Sequence, residues 1–343
     1  MESIIIQKLH HVDDRIDIDE SNLTPIQEFY KDAKVFVTGF TGFIGQILVE
    51  KLLRSCPVST IYVLMRQKKG KDIDVRLQEI FDDHVFSRMK KACPGFRQKV
   101  VAMEGDCNLP DLGLSDEDKK VLIDGVSIVF HIAATVRFEE KLKTAVIANI
   151  RATRDLTLLA RQMSHLKSFV YVSTAYANCF QDVIEERICP ANIDYHKLIV
   201  MSETIEGFLL EKLSSDFRGK HANTYTYTKQ IAENVVKTEM QGLPAVVYRP
   251  AIVLSTFKEP IRGWCNNLYG ATGIFYAASL GILRVVRCDQ DKYANIIPAD
   301  MCVNGMIASA WDGKKRFQEA KDENGIFELP VYNYESINDQ SSW

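Results

Sequence analysis

Two residues four apart, Tyr225 and Lys229 in the run Tyr225-Thr226-Tyr227-Thr228-Lys229, are suited to exchanging a proton with a carbonyl oxygen. On a helix this spacing puts both side chains on one face. An ammonium beside a phenol favours the phenolate, so Lys229 is expected to draw the Tyr225 pKa down from its ordinary value of about 10 towards neutrality. The tyrosine could then serve as a general acid or base. Tyr30 and Lys34 share the spacing but run straight into an apolar strand, and they read as a decoy. What sets Tyr225 and Lys229 apart is a pair of hydroxyls, Ser173 and Thr174, that closes the apolar run Phe169-Val170-Tyr171-Val172. Hydroxyls at a strand's carboxyl end can hydrogen-bond a substrate carbonyl, and the spacing does not choose between the two.

A second chemical signal lies near the front of the chain. Gly39, Gly42 and Gly45 follow the apolar run Val35-Phe36-Val37 and open the amphipathic stretch from Gln46 to Leu53. Strand, glycine turn and helix in that order form a dinucleotide-binding fingerprint. The glycines let backbone approach a pyrophosphate, and the N–H groups at the helix start attract its charge. At the end of the second strand an NAD site would place a carboxylate for the ribose 2′-hydroxyl. Here Met65 is followed by Arg66, Gln67, Lys68 and Lys69, with no carboxylate before Asp72. A guanidinium pairs with a 2′-phosphate, so NADP(H) is the expected cofactor.

These residues need a scaffold that brings strand ends together. Apolar runs at Thr60–Met65, Lys99–Met103, Ser127–His131, Phe169–Val172 and Pro244–Tyr248 alternate with helical periodicity, for example from Val75 to Lys91 and from Ala145 to Met163. Strands apolar on both faces predict a parallel sheet covered on both sides, a doubly wound α/β Rossmann fold. Thr24-Pro25-Ile26-Gln27 reads as a capping box that starts a helix ahead of the first strand. Residues 1–23 are expected to form a loose arm. The stretches 181–222 and 255–296 break the alternation and are assigned to a small substrate-binding part. Asn149 falls mid-helix and needs a partner there, either the lysine through a water or the packing of its own helix. His131 ends a strand and reads as a structural residue beside the cofactor.

The chain has 343 residues, with 42 basic against 45 acidic side chains and 46% hydrophobic content. That balance gives no reason to expect nucleic acid as a partner. Eight scattered cysteines without a CxxC pair argue against a metal site or a disulfide framework and fit a reducing, intracellular compartment. The N-terminus has no signal-peptide pattern, and the apolar stretch Gly273–Leu283 is shorter than the ~20 residues a spanning helix needs.

Taken together the motifs resemble the extended short-chain dehydrogenase/reductases and, more narrowly, the alcohol-forming fatty acyl-CoA reductases. The resemblance is carried by Thr38–Gly45, Val129–Phe138, Tyr171–Asn178, Thr224–Lys229, Tyr248-Arg249-Pro250 and Gly263–Gly270, and it covers roughly 24–312. It implies reduction of a long-chain fatty acyl-CoA to a primary alcohol in two NADPH-dependent steps. By the same resemblance Gly39, Gly42 and Gly45 line the pyrophosphate, and Thr41, Phe43 and Ile44 add backbone contacts. Asp106 sits on the adenine side, Ala133 and Ala134 form the loop under the cofactor, and Pro250 borders the nicotinamide. Lys229 orients the nicotinamide ribose, and Thr174 aligns with the usual catalytic hydroxyl with Ser173 beside it. Family members continue into a helical carboxyl-terminal domain, often with a membrane segment. A membrane surface (peroxisome or endoplasmic reticulum) in full-length forms and a homodimer are therefore expected partners. Here residues 313–343 are expected to be a linker and the start of that domain, with Tyr332–Ser336 its first strand. Competing readings are an extended short-chain reductase for another carbonyl (sterol, ketone or nucleotide sugar) and a non-catalytic NADP-binding scaffold.

Overall fold

The computed structural model describes residues 18–334 apart from 69, 290, 293, 324 and 326. Most of the expected N-terminal arm, Lys69 of the basic loop, and Glu335 and Ser336 thus lie outside the described residues. Seven strands form one parallel sheet: β1 (Lys34–Thr38), β2 (Thr60–Met65), β3 (Val100–Glu104), β4 (Ile128–His131), β5 (Ser168–Val172), β6 (Ala245–Pro250) and β9 (Val331–Tyr334). Their order is β3-β2-β1-β4-β5-β6-β9, and two short strands, β7 (Ile252–Leu254) and β8 (Ile296–Pro298), pair separately. The order reverses between β1 and β4, so the crevice at that switch point is where a doubly wound sheet takes its ligand.

Alternation along the strands builds two cores. Val35 and Val37 of β1 pack on one face with Ile61 and Val63, while Phe36 packs on the other with Tyr62 and Val129. The helices include α1 (Pro25–Tyr30), α2 (Phe43–Ser55), α3 (Ile73–Phe81), α4 (Ser87–Ala92), α5 (Asp116–Gly125), α6 (Leu142–Ala145), α7 (Ala152–Ala160), α8 (Tyr195–Thr204), α9 (Thr224–Glu239), α10 (Ala271–Ser279) and α11 (Ala299–Asp322), and each of these except α10 buries at least one residue. Each buried Val, Leu, Ile or Phe contributes roughly 1.5–3 kcal/mol.

The capping box forms as expected: Thr24 and Gln27 exchange hydrogen bonds, and Pro25 fills the first helical position. The decoy tyrosine closes that helix. Tyr30 is fully buried and donates to the Ile307 carbonyl at 3.0 Å, locking α1 onto α11.

Four expectations need correction. The periodic stretch 75–91 is two helices, because Asp83 accepts the Val85 N–H at 2.9 Å and caps a 3-10 turn between them. The stretch 145–163 contains a π-helical turn, Val146–Arg151, between α6 and α7. Val331–Tyr334, expected as the first strand of a further domain, pairs in parallel with β6 as part of the central sheet. The expected boundary at 312/313 also falls inside the continuous helix α11.

Candidate active site

The glycine turn is tight enough to exclude side chains. Gly39 has φ +82°, and a Cβ there would lie 2.7 Å from the Ala133 nitrogen. A Cβ on Gly45 would strike the Gly39 carbonyl, and one on Gly42 would sit 3.2 Å from the same oxygen. Gly42 caps α2 without a side-chain bond, and the first intrahelical bond runs from the Gln46 N–H to Gly42 O. The N–H groups of Phe43, Ile44 and Gly45 therefore face out of the helix end, where a pyrophosphate fits. Thr41 is exposed on the same turn.

The loop under this turn is wired to it. The Ala133 N–H donates to the Thr38 hydroxyl at 3.3 Å, which pairs with His131 Nδ1 at 2.7 Å. His131 Nε2 meets the Thr153 hydroxyl at 3.0 Å, and that hydroxyl donates to the Asn149 carbonyl at 2.6 Å. Since Thr153 gives its proton to the carbonyl, Nε2 must carry the imidazole proton and Nδ1 must accept from Thr38. Burial, with the Lys229 charge adding to it, lowers the His131 pKa to about 3 and keeps the ring neutral. This matches the structural role read from the sequence.

At the adenine side, Arg66 is exposed just beyond β2, and the Arg76 guanidinium hydrogen-bonds its carbonyl. Two guanidinium-bearing residues thus stand together just beyond β2. Asp106 follows β3, and its carboxylate accepts the Asn108 N–H at 2.9 Å. Pro250 ends β6, one strand beyond β5.

Helix α9 presents the proton-transfer residues. Asn223 caps it by accepting the Thr226 N–H at 2.9 Å, which sets Tyr225 in the first turn and Lys229 one turn on. The Thr174 hydroxyl lies near enough to the Tyr225 phenol to oppose the rise of its pKa. Ser173 is engaged elsewhere: its hydroxyl donates to Glu233 Oε1 at 2.5 Å, in full burial. The two hydroxyls, equivalent in the sequence, therefore have different neighbours, and only Thr174 lies beside the tyrosine.

The expected effect of Lys229 on Tyr225 is not met. Burial pushes the phenol up to about 12, with the Thr174 hydroxyl opposing it. The Lys229 ammonium donates to the Val172 carbonyl at 2.7 Å and sits 4.7 Å above the Tyr171 ring. Its own pKa falls to about 7 through burial, opposed by the Glu233 charge. The helical spacing places the pair on one face but does not aim the ammonium at the phenol.

With this geometry established, the chain was compared with known proteins. The family model described as Male sterility protein matches residues 37–306. The chain belongs to the male sterility protein family. It is 42% identical over 316 residues to the protein named fatty acyl-CoA reductase wat of Drosophila melanogaster, covering 92% of this chain and 60% of that one. It is 44% identical over 290 residues to human fatty acyl-CoA reductase 1, covering 84% of this chain and 56% of that one. The chain therefore spans under two thirds of the length of these relatives. Among solved structures, a reductase domain of a Mycobacterium tuberculosis nonribosomal peptide synthetase superposes with TM-score 0.58 at 20% identity, over 92% of this chain and 69% of that one. The Bordetella bronchiseptica enzyme WbmF, solved with NAD+, gives TM-score 0.50 at 18% identity, over 89% of this chain and 83% of that one. Both support the Rossmann fold.

As a male sterility protein family member, the chain has a nicotinamide-dinucleotide fold, and the glycine cradle and open helix end fit such a cofactor. Several site neighbours went unread in the sequence. Glu233, one turn beyond Lys229, is fully buried and forms a bidentate pair with Arg249 at 2.7 and 2.8 Å. Arg249 also donates to the carbonyls of Glu185 and Arg187 at 3.0 and 2.9 Å, fastening the substrate-side stretch to β6. The signal was available: Glu233 continues the i, i+4 stripe of Tyr225 and Lys229, and a carboxylate on a buried face needs a cation. Asn149 found partners other than the lysine. Its amide donates to the Thr228 hydroxyl at 3.0 Å and grips the backbone of Thr135.

The segment from α10 to Val286 is open. No residue of α10 is buried, and Phe275, Tyr276, Leu280, Ile282 and Val285 are all exposed. Among the described residues no helix is long and apolar enough to cross a membrane.

Proposed function

We propose that this chain is an NADPH-dependent reductase that takes long-chain fatty acyl-CoA through an aldehyde to the primary alcohol. The observation that carries the reading is the juxtaposition of Thr174, which follows β5, and Tyr225 on α9 at the carboxyl edge of a dinucleotide-binding sheet, in a chain of this family. When bound, NADPH supplies hydride to the thioester carbonyl. Thr174 and Tyr225 hydrogen-bond the carbonyl oxygen as negative charge develops on it, and Tyr225 delivers its proton. A phenol held at about 12 keeps that proton throughout the neutral range, which suits an acid. Collapse of the hemithioacetal expels the CoA thiol, and the same two hydroxyls serve the aldehyde in the second reduction. Lys229, buried at the end of β5, would hold the nicotinamide ribose beside Pro250. Gly39, Thr41, Gly42, Phe43, Ile44 and Gly45 would hold the pyrophosphate, Asp106 the adenine side, and Ala133 and Ala134 the floor.

Arg66 supports NADPH over NADH, because no carboxylate stands at the end of β2. Titration should give at least about tenfold tighter binding of NADPH, and Arg66→Ala should remove most of the gap. Equal affinities in the parent chain would take Arg66 out of the argument. A membrane surface and a second copy of the chain are the other partners in this reading, supported by the exposed apolar segment from α10 to Val286. The deciding experiment is anaerobic turnover of palmitoyl-CoA with NADPH and identification of the product. Alcohol is the expected product; reduction of ketones or sugars in preference to the thioester would overturn the assignment.

A further inference from the structure

The loop that leaves β4 carries two exposed apolar side chains, Val136 and Phe138, beside the proton donor. The Phe138 ring is 63% exposed, yet its centroid lies 6.2 Å from that of Tyr225, with the ring planes inclined by 33°. A single exposed apolar residue needs no explanation by itself. What singles this one out is that its loop is held at both ends. At the start, the Asn149 carboxamide accepts the Thr135 N–H at 2.9 Å and donates back to the Thr135 carbonyl at 3.2 Å. The same amide reaches the Thr228 hydroxyl on α9, tying the loop to the helix that carries Tyr225. At the far end, the Leu142 N–H donates to the Glu211 carboxylate at 2.8 Å in the substrate-side stretch. The Phe138 ring is therefore presented over Tyr225 from a braced loop.

Resting on the reductase reading above, we infer that Phe138, with Val136, is the specificity wall for the acyl carbons next to the reacting carbonyl. A substrate whose carbonyl oxygen meets the Tyr225 hydroxyl places its second to fourth acyl carbons against the Phe138 ring. Methylenes there gain apolar contact. A hydroxyl on the third carbon loses water without a partner in return, and so is disfavoured. Because the contact is close to the reacting carbon, it serves short and long chains alike.

The test compares kcat/KM for butyryl-, palmitoyl- and 3-hydroxybutyryl-CoA in the parent chain, Phe138→Ala and Phe138→Leu. Phe138→Ala should lower the value for butyryl and palmitoyl by a similar factor, about tenfold and mainly through KM. Phe138→Leu should keep most of it, and the preference for butyryl over 3-hydroxybutyryl should narrow in the alanine variant. NADPH affinity and melting temperature should stay at parent values, since Phe138 supports neither. A loss confined to palmitoyl, or an unchanged preference, would overturn the inference. If the parent chain turns over no acyl-CoA, the reductase reading fails. Phe138 is then judged on binding of S-butyl-CoA, a non-reacting thioether: about tenfold weaker in Phe138→Ala upholds the wall, and equal affinity removes it.

Discussion

Two regions at the carboxyl edge of the sheet are built on opposite terms. Where α9 meets β5 and β6, a chain of polar side chains is buried and paired: Ser173 to Glu233, Glu233 to Arg249, Lys229 to the Val172 carbonyl. The segment from α10 to Val286 is rich in apolar side chains and exposed in space, and no residue of α10 is buried. The first region is fixed by hydrogen bonds that cannot be traded for water. The second presents hydrocarbon that can still be covered by something else. Substitutions in the first should therefore cost chemistry or folding, and those in the second should change only what the chain associates with.

The sharpest way to break this contrast is Tyr225→Phe. It should reduce acyl-CoA turnover by ~10²–10⁴-fold with cofactor affinity retained, whereas Tyr30→Phe should leave turnover alone. Parallel turnover and cofactor titrations decide it, and an active Tyr225→Phe would end the mechanism. Next comes the buried ion pair. Arg249→Met leaves the buried Glu233 charge without its paired guanidinium and should cost about 3–5 kcal/mol in denaturant unfolding. A loss typical of a surface site would show that the network does not brace α9.

A smaller effect separates the buried side by pH. His131 is held neutral in the folded chain, with its pKa lowered to about 3, while the unfolded chain protonates it below about 6.5. The unfolded state thus binds more protons between these values, and stability falls as pH drops through that window. By pH 5 the parent chain should have lost about 2 kcal/mol more than His131→Gln, relative to pH 7.5. Parallel stability curves for the two would contradict the wiring drawn for the ring.

The smallest folding effect belongs to the exposed segment. Replacing Phe275, Tyr276 and Ile282 together with serine should move unfolding free energy by only ~0.5 kcal/mol or less per site. Sedimentation should nevertheless show less self-association. A large loss of stability would mean that this surface is packed rather than open.

Much of this was legible in the sequence. Thr60–Met65 is found with the bounds read from its apolar run, because a buried parallel strand is continuous hydrocarbon between turn signals. The glycine turn was legible because steric exclusion leaves no other residue at Gly39 and Gly45. The direction of the Lys229 ammonium was not, since helical spacing sets the face of a side chain and not the acceptor it finds on a neighbouring strand. A strand at Tyr332 was legible but its place in the central sheet was not, because Val331–Tyr334 is short and pairs with residues far back in the chain. The run 273–283 was recognisably apolar, yet periodicity says nothing about whether a neighbour exists to cover it. The equal claims of Ser173 and Thr174 were separable only once Glu233 was placed in space.

The π-helical turn Val146–Arg151 holds one residue more than a regular turn would. Asn149 sits inside that extra wind, so its orientation depends on a count of residues as much as on its own identity. Deleting a single residue between 146 and 148 would let the segment relax into an ordinary α-helix. It would also swing everything on the amino-terminal side by about 100°. The Thr135 backbone would then face the methyl of Ala148 or the sec-butyl group of Ile150 where it now meets an amide. Related sequences should accordingly tolerate exchange of the residues in this turn far better than any change in its length.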